Sequence, residues 1–339
     1  MGIYMTGHYI VFESIATAVL KPLEVPQPAA GEVLIETDYT VISAGTERAN
    51  LMNLPNTSGA FPYYPGYCGL GRVTALGDGV ENLAVGDRVL LTFGSGHCSH
   101  TVQKADSLTV VRDDRVESLD AAFVAIAAMG LQGVRKLKLE IGESAMVIGL
   151  GLLGMFAAQL ARLDGAIPVI VSDFDQRRRD LAIALGADYA FSPDEEDLAE
   201  KLKELTYGKG PDGIVEVTGA AVALQQALTY VAWQGRVSLL GCTRIPDVGI
   251  DFYQYVHRRG VSLIGAHTMV RPQVDSYPGY WTARDDYRTL LALLAAGRLK
   301  VRPIISEIVS PESAPAVYSR LAEEKHPPLG IVFDWQELR

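Results

Sequence analysis

Cysteine is scarce, with three in 339 residues, at Cys68, Cys98 and Cys242. An odd, widely spaced set cannot build a disulfide framework and fits a reducing compartment, with the cytoplasm as the expectation. Long apolar runs are lacking too. The longest nearly apolar stretch, 121–134, is interrupted by Gly and Gln and is too short to span a bilayer. No basic start followed by an apolar segment marks a signal peptide, so no membrane partner is expected. Met1, Gly2 and Thr6 formally match an N-myristoylation pattern; chance is the better reading, because no polybasic patch follows to make a second anchor. Positive charge is in deficit, with 30 Lys and Arg against 40 Asp and Glu and no basic block longer than Arg177-Arg178-Arg179. That argues against the electrostatic footprint of nucleic-acid binding.

What is present is a chain able to bury full cores: 48% of residues are apolar and 21% charged. Its length suggests two domains at roughly 150 residues each. Up to about Val111 the segments are short, β-branched and bounded by Gly, Pro and Asp, as in 32–37, 72–76 and 87–91. This spacing predicts a small antiparallel β domain. From about Ala121 apolar strands alternate with helical stretches: strands at 145–148, 168–172, 213–217, 235–240 and 261–264, helices at 153–163, 176–185 and 221–231. Such alternation predicts a parallel sheet covered on both faces. After His267 the chain turns polar and aromatic, with a helix over 284–296 and a last strand at 329–333. A tail this short cannot hold its own core, so it is expected to pack back on the first domain and make the α/β unit an insertion.

Gly149-Leu150-Gly151-Leu152-Leu153-Gly154 reads G-x-G-x-x-G directly after a predicted strand and at the mouth of a predicted helix. Gly149 allows the tight turn, Gly151 lets the backbone approach a pyrophosphate, and Gly154 lets helix and strand pack closely; the opening N–H groups, through Leu152 and Leu153, hold the anion. Asp173, nineteen residues after Gly154, closes the second strand where an acid hydrogen-bonds the adenosine ribose. That favours NAD, while Arg177 and Arg178 leave NADP open because either guanidinium could pair with a 2′-phosphate. Thr218, Gly241, Cys242, Gly265 and His267 stand at strand ends on the same side of the sheet, where ligands of open α/β sheets bind.

With these pieces in place the chain resembles the medium-chain dehydrogenase/reductase, alcohol-dehydrogenase-like superfamily over essentially its whole length. The residues that carry the resemblance are 65–73, 85–89, the Gly149–Gly154 motif with Asp173, 185–188, 215–219, 235–237 and 263–265. It implies an α/β protein in which a Rossmann dinucleotide-binding domain is inserted in a GroES-like β-rich catalytic domain. The expected division is 1–125 catalytic, 126–267 cofactor-binding, and 268–339 returning to the catalytic domain. It also implies a cleft between the domains and a homodimer or homotetramer joined through the sheet edge near Leu239 and Leu263.

The departures from the zinc-dependent members are specific. Where they carry Cys-x-Thr/Ser-Asp, this chain has Ala44-Gly45-Thr46-Glu47; where they carry Gly-His-Glu, it has Gly66-Tyr67-Cys68; and 121–133 supplies no Cys or His for the third ligand. One cysteine, Cys98, stands where a structural zinc lobe needs four. On a strand, Cys98 and His100 would share one face and His97 and Ser99 the other, so two ligands at most converge. No metal is expected. Ser43 to Glu47 with Pro65-Gly66-Tyr67 is most similar to a zinc-free branch that includes bacteriochlorophyllide a dehydrogenase and sugar- or polyol-type dehydrogenases.

An aliphatic hydroxyl is about as weak an acid as water, pKa about 15.7, so without zinc a positioned side chain must take its proton. Tyr67 replaces a ligand and its phenol is placed to donate to the alkoxide, or it merely fills a cavity. Thr46 matches the family's proton-relay hydroxyl, or caps the helix beginning there. Glu47 orients that relay or acts as base, or is a first-turn acid favoured by the helix dipole. His97, opening a predicted strand, is a base or a structural histidine. Cys68 reads as a small buried apolar group. Tyr277, Tyr280 and Trp281 with Arg271 and Arg284 line a carbohydrate site or pack at a seam. The expected activity is interconversion of a secondary alcohol of a sugar, cyclitol or polyol with its ketone. The alternatives are a quinone or enone reductase, disfavoured because its Asn-Pro-x-Asp pattern is missing, and a nicotinamide-binding sensor without turnover.

Overall fold

The computed structural model describes residues 6–245, 247–324 and 327–339; Met1 and Gly2 of the acylation pattern lie outside them. The chain divides into two compact units, one of residues up to 126 with 287–297 and 301–339, the other of 127–286 with 298–300. Among the described residues no helix is long and apolar enough to cross a membrane.

The first unit opens with an antiparallel hairpin of β1 (Thr6–Ser14) and β2 (Thr17–Glu24). Its main sheet is built on β3 (Glu32–Val41), which carries β4 (Gly69–Leu76) and then β5 (Arg88–Leu91) on one side. The other side of β3 is shared, its first half pairing with β6 (His100–Lys104). Helix α1 (Ala44–Leu51) follows β3 directly; α2 (Ser118–Ala121) and α3 (Val124–Leu137) lead towards the second unit.

The second unit holds six parallel strands: β7 (Ala145–Ile148), β8 (Val169–Ser172), β9 (Tyr189–Phe191), β10 (Gly213–Glu216), β11 (Arg236–Leu239) and β12 (Ser262–Gly265). Their order is β12-β11-β10-β7-β8-β9, so the winding reverses between β7 and β10, the switch point of a doubly wound sheet. Helices α4 (Leu152–Leu163), α5 (Gln176–Ala184), α6 (Leu198–Leu205) and α7 (Ala221–Tyr230) supply the connections. Strands β7, β8 and β10 are buried along their full length, which is why they read as unbroken apolar runs.

After α8 (Ala283–Ala295) the chain adds β13 (Ile305–Val309), α9 (Ala314–Glu323) and β14 (Gly330–Asp334) to the first unit. β14 pairs antiparallel with the second half of β3, Val41 opposite Val332, and β13 runs parallel beside it. The sheet expected to be antiparallel thus contains one parallel pair. Tyr318, Phe333 and Trp335 from this segment join Phe12, Ile42 and Leu51 in one buried core.

Two expectations are corrected. The return to the first unit begins at Tyr287, not 268. The intervening segment is tied to its own unit by buried groups: the Arg271 guanidinium donates to Ala128 O, and both Arg271 and Arg135 pair with Asp286. Residues 97–99 are not a regular strand. His97 N–H donates to Pro65 O and Ser99 N–H to His8 O, and three successive residues, His97, Cys98 and Ser99, are buried, so the expected alternation of faces is absent.

Candidate functional site

At the switch point Gly149 leaves β7 with a positive φ of 95°, and a Cβ there would stand 2.6 Å from Thr218 Cγ2. A Cβ on Gly154 would stand 1.9 Å from Gly149 O, so only glycine lets α4 lie against the turn. Gly151 caps α4 with extended backbone and open space before it, leaving the amides of Leu152 and Leu153 at a helix N-terminus. This cradle fits the pyrophosphate of a nicotinamide dinucleotide. Asp173 Oδ2 accepts from Leu150 N–H at 2.7 Å and Oδ1 from Asp175 N–H at 2.8 Å. The acid therefore braces the glycine turn, and each oxygen keeps a second lone pair for a ribose hydroxyl. Arg177 pairs with Asp175 at 3.0 Å, which draws it away from a phosphate; Arg178 is half-buried on α5.

The carboxyl ends of β10 and β11 meet closely. A Cβ on Gly241 would lie 2.2 Å from Gly219 N, and one on Gly219 2.4 Å from Cys242 O. Glu216, given no role from sequence, organises this edge: its buried carboxylate accepts from the amides of Thr218 and Gly219 and from the Thr218 hydroxyl. Burial pushes its pKa up and these donors pull it back. Its signal lay in its place at the end of a buried strand, where an acid needs local donors. Gly265 and His267 are exposed; His267 Nδ1 accepts from Met269 N–H at 3.2 Å and His267 O from Gln132 Nε2 at 2.8 Å. The aromatic patch is engaged within its unit: Arg135 lies 4.2 Å over the Trp281 ring, Lys136 4.2 Å over Tyr280, and Arg271 is buried on Asp286.

In the first unit, α1 and the turn before β4 bring four predicted residues together. Tyr67 is buried, stacked on Phe93 with centroids 4.8 Å apart, and its hydroxyl lies beside those of Ser43 and Thr46. Burial pushes this phenol well above the ordinary tyrosine range, the Glu47 charge adding to it and the two hydroxyls opposing it. Thr46 is half-buried in the first turn of α1, not its cap, which is Ser43.

Glu47 is 1% exposed. Its Oε1 accepts from Ser43 N–H at 2.8 Å, and its Oε2 from Tyr318 O–H and His97 Nε2, the latter at 3.1 Å. His97 is equally buried, with Nδ1 2.7 Å from Thr40 Oγ1, which also accepts from the Trp335 indole at 2.9 Å. The indole can only donate, so Thr40 Oγ1 accepts there, while His97 Nε2 donates to Glu47 Oε2. Glu47 is thus a first-turn acid of α1 that is buried with its oxygens taken up by protein donors, and His97 has both nitrogens committed. Sequence reading missed Ser43, Thr40, Tyr318 and Trp335.

Residues 29–135 match the alcohol dehydrogenase GroES-like domain and 153–295 the zinc-binding dehydrogenase domain. L-threonine 3-dehydrogenase of Pyrococcus furiosus is 30% identical over 319 residues, covering 85% of this chain and 87% of that protein. The chain belongs to the medium-chain dehydrogenase/reductase superfamily. D-guloside 3-dehydrogenase of Escherichia coli is 29% identical over 269 residues, covering 77% of this chain and 74% of that protein. Among solved structures, a zinc-binding dehydrogenase of Sinorhizobium meliloti bound to NADP superposes with a TM-score of 0.82 at 20% identity, over 97% of this chain and 99% of that one. Galactitol-1-phosphate dehydrogenase of Escherichia coli gives 0.83 at 19% identity, over 96% and 99%.

Against the zinc-dependent members of this superfamily, the residues at the ligand positions do not fit a zinc ion. Ala44 has no donor atom. The Cys68 thiol is buried, donates to Ala122 O at 2.9 Å, and is pushed up to about 12 by burial, as in a small buried core group. Cys98 is likewise pushed up to about 12 by burial and donates to Ser95 O at 3.1 Å.

Proposed function

We propose that the protein is a zinc-independent, NAD(P)-linked oxidoreductase that interconverts a secondary alcohol of a sugar, cyclitol or other polyol with its ketone. One observation carries the reading: the hydroxyls of Tyr67, Ser43 and Thr46 stand together, in the two sequence blocks that resemble the ligand-bearing blocks of zinc-dependent members. Relatives named for threonine, guloside and galactitol 1-phosphate dehydrogenation support the alcohol class. The glycine cradle and Asp173 support the dinucleotide, NAD ahead of NADP.

Bound NAD(P) supplies the hydride acceptor. Oxidation removes a hydride from carbon and a proton from oxygen, and reduction returns both. The Tyr67 phenol, kept protonated by burial, donates a hydrogen bond to the substrate oxygen and stabilises its developing negative charge. One such donor is worth roughly 2.7–4 kcal/mol. In oxidation the substrate hydroxyl gives its proton to the half-buried Thr46 hydroxyl, whose own proton goes on to solvent water, while the phenol keeps its proton; reduction runs this relay backwards. Strand β12 forms an outer edge of its sheet, and we place a homo-oligomer contact there, since a bare edge invites pairing.

The test is turnover by chelator-treated protein, followed at the reduced-nicotinamide band with NAD or NADP and a panel of sugars, cyclitols and secondary alcohols, with metal content measured on the same sample. Metal-free turnover of a polyol is the expected result. Activity that dies with the chelator and returns with zinc overturns it, as does turnover confined to quinones or enones.

A further inference from the structure

Glu47 is a buried acid of the first unit bonded by three donors from three parts of the chain. Its donors are the Ser43 amide, the His97 imidazole and the Tyr318 hydroxyl, the last 271 residues away in sequence. From His97 the chain of bonds continues to Thr40 and ends on Trp335, 295 residues beyond Thr40. Both ends of this network carry fixed protons. Indole N–H is a donor only, and the Tyr318 hydroxyl is fully buried, its pKa raised well above the ordinary value by burial and by Glu47. A chain closed at both ends does not carry a proton to solvent.

What the network does reach is Ser43. The same residue whose amide is held by Glu47 Oε1 sets its own hydroxyl beside that of Tyr67. We propose that Glu47, His97 and Tyr318 are positioning residues that fix the Tyr67 hydroxyl through Ser43, so that the C-terminal segment completes the site. This rests on the reading of Tyr67 as the oxygen-binding group. The Tyr318 ring itself is held apart from the hydrogen bond, edge-on to Phe12 at 4.8 Å and tilted against Phe333 at 6.1 Å. Tyr318→Phe therefore removes the hydroxyl and keeps the packing.

The experiment uses full-length protein labelled with 13C at tyrosine Cζ, with the Tyr67 resonance assigned through Tyr67→Phe. In Tyr318→Phe and in Glu47→Gln, the Tyr67 resonance is expected to move, while that of Tyr277, in the other unit, stays in place. A Tyr67 resonance unmoved in both variants overturns the proposal. If Glu47→Gln fails to fold, Tyr318→Phe decides alone. With a substrate in hand, Tyr318→Phe lowers kcat by about 10-fold to 100-fold, the scale of a misplaced catalytic group, with KM held; an unchanged kcat overturns it. Should no substrate turn over, the dehydrogenase reading falls while the resonance still decides the coupling.

Discussion

Gly154 faces the carbonyl oxygen of Gly149 so closely that a Cβ would lie 1.9 Å from it, whereas a Cβ on Gly151 meets nothing within 4 Å. Two glycines of one motif thus have different jobs, one for the fold and one for the ligand. Gly154→Ala must push backbone against backbone, and its cost is expected at or above the ~3 kcal/mol end of overpacking penalties. Thermal unfolding should show a Tm lowered by several degrees. Gly151→Ala should leave Tm unchanged and weaken NADH binding, read by fluorescence titration. Equal loss of Tm in both variants would contradict this division.

Asp173 serves both the turn and the cofactor choice. Asp173→Asn keeps an oxygen for one of the two backbone amides but removes the charge that a 2′-phosphate would meet. The ratio of kcat/KM for NADP over NAD is expected to rise about 10-fold, equivalent to ~1.4 kcal/mol. A ratio that does not change would shift the discrimination to other groups, Arg178 foremost.

The parallel sheet was legible because its central strands are buried on both faces, which leaves unbroken apolar runs between glycines. The end of β3 was not: the polar Asp38 breaks the pattern, yet it is buried and paired with Arg72 at 3.2 Å and Arg339 at 2.7 Å. In the site, Thr46, Glu47, Tyr67 and His97 were found by their positions in family blocks. Their roles were not, because the partners that set them, Tyr318 and Trp335, stand far off in sequence and carry no local signal. His97 read as a base or a structural histidine, and the contacts made by its two nitrogens favour the second.

Cysteine chemistry gives a prediction that needs no substrate. Cys68 and Cys98 are buried with thiols pushed up to about 12, while Cys242 is exposed. The thiolate is the reactive form, so the two buried thiols stay protonated as pH rises from 7 to 9. Titration with an aromatic disulfide reagent should find one fast thiol per native chain over that range and three after denaturation. Cys242→Ser should abolish the native reaction. A second fast thiol appearing at pH 9 would show that one of the buried sites opens.

Tyr67→Phe separates the two readings of this residue. The phenyl ring keeps the stack on Phe93, whose planes lie 11° apart, so a cavity-filling role predicts little change in activity. A donor to the substrate oxygen predicts a kcat lowered about 10²–10³-fold, with KM and NADH affinity nearly unchanged, because the bond lost is strongest in the transition state. The pH profile adds a sign. Burial raises the Tyr67 pKa, so the wild-type phenol remains a donor through the alkaline range and kcat should not fall between pH 8 and 10 on its account. A decline there that vanishes in Tyr67→Phe would mean that the phenol ionises in the working enzyme and acts as the base itself.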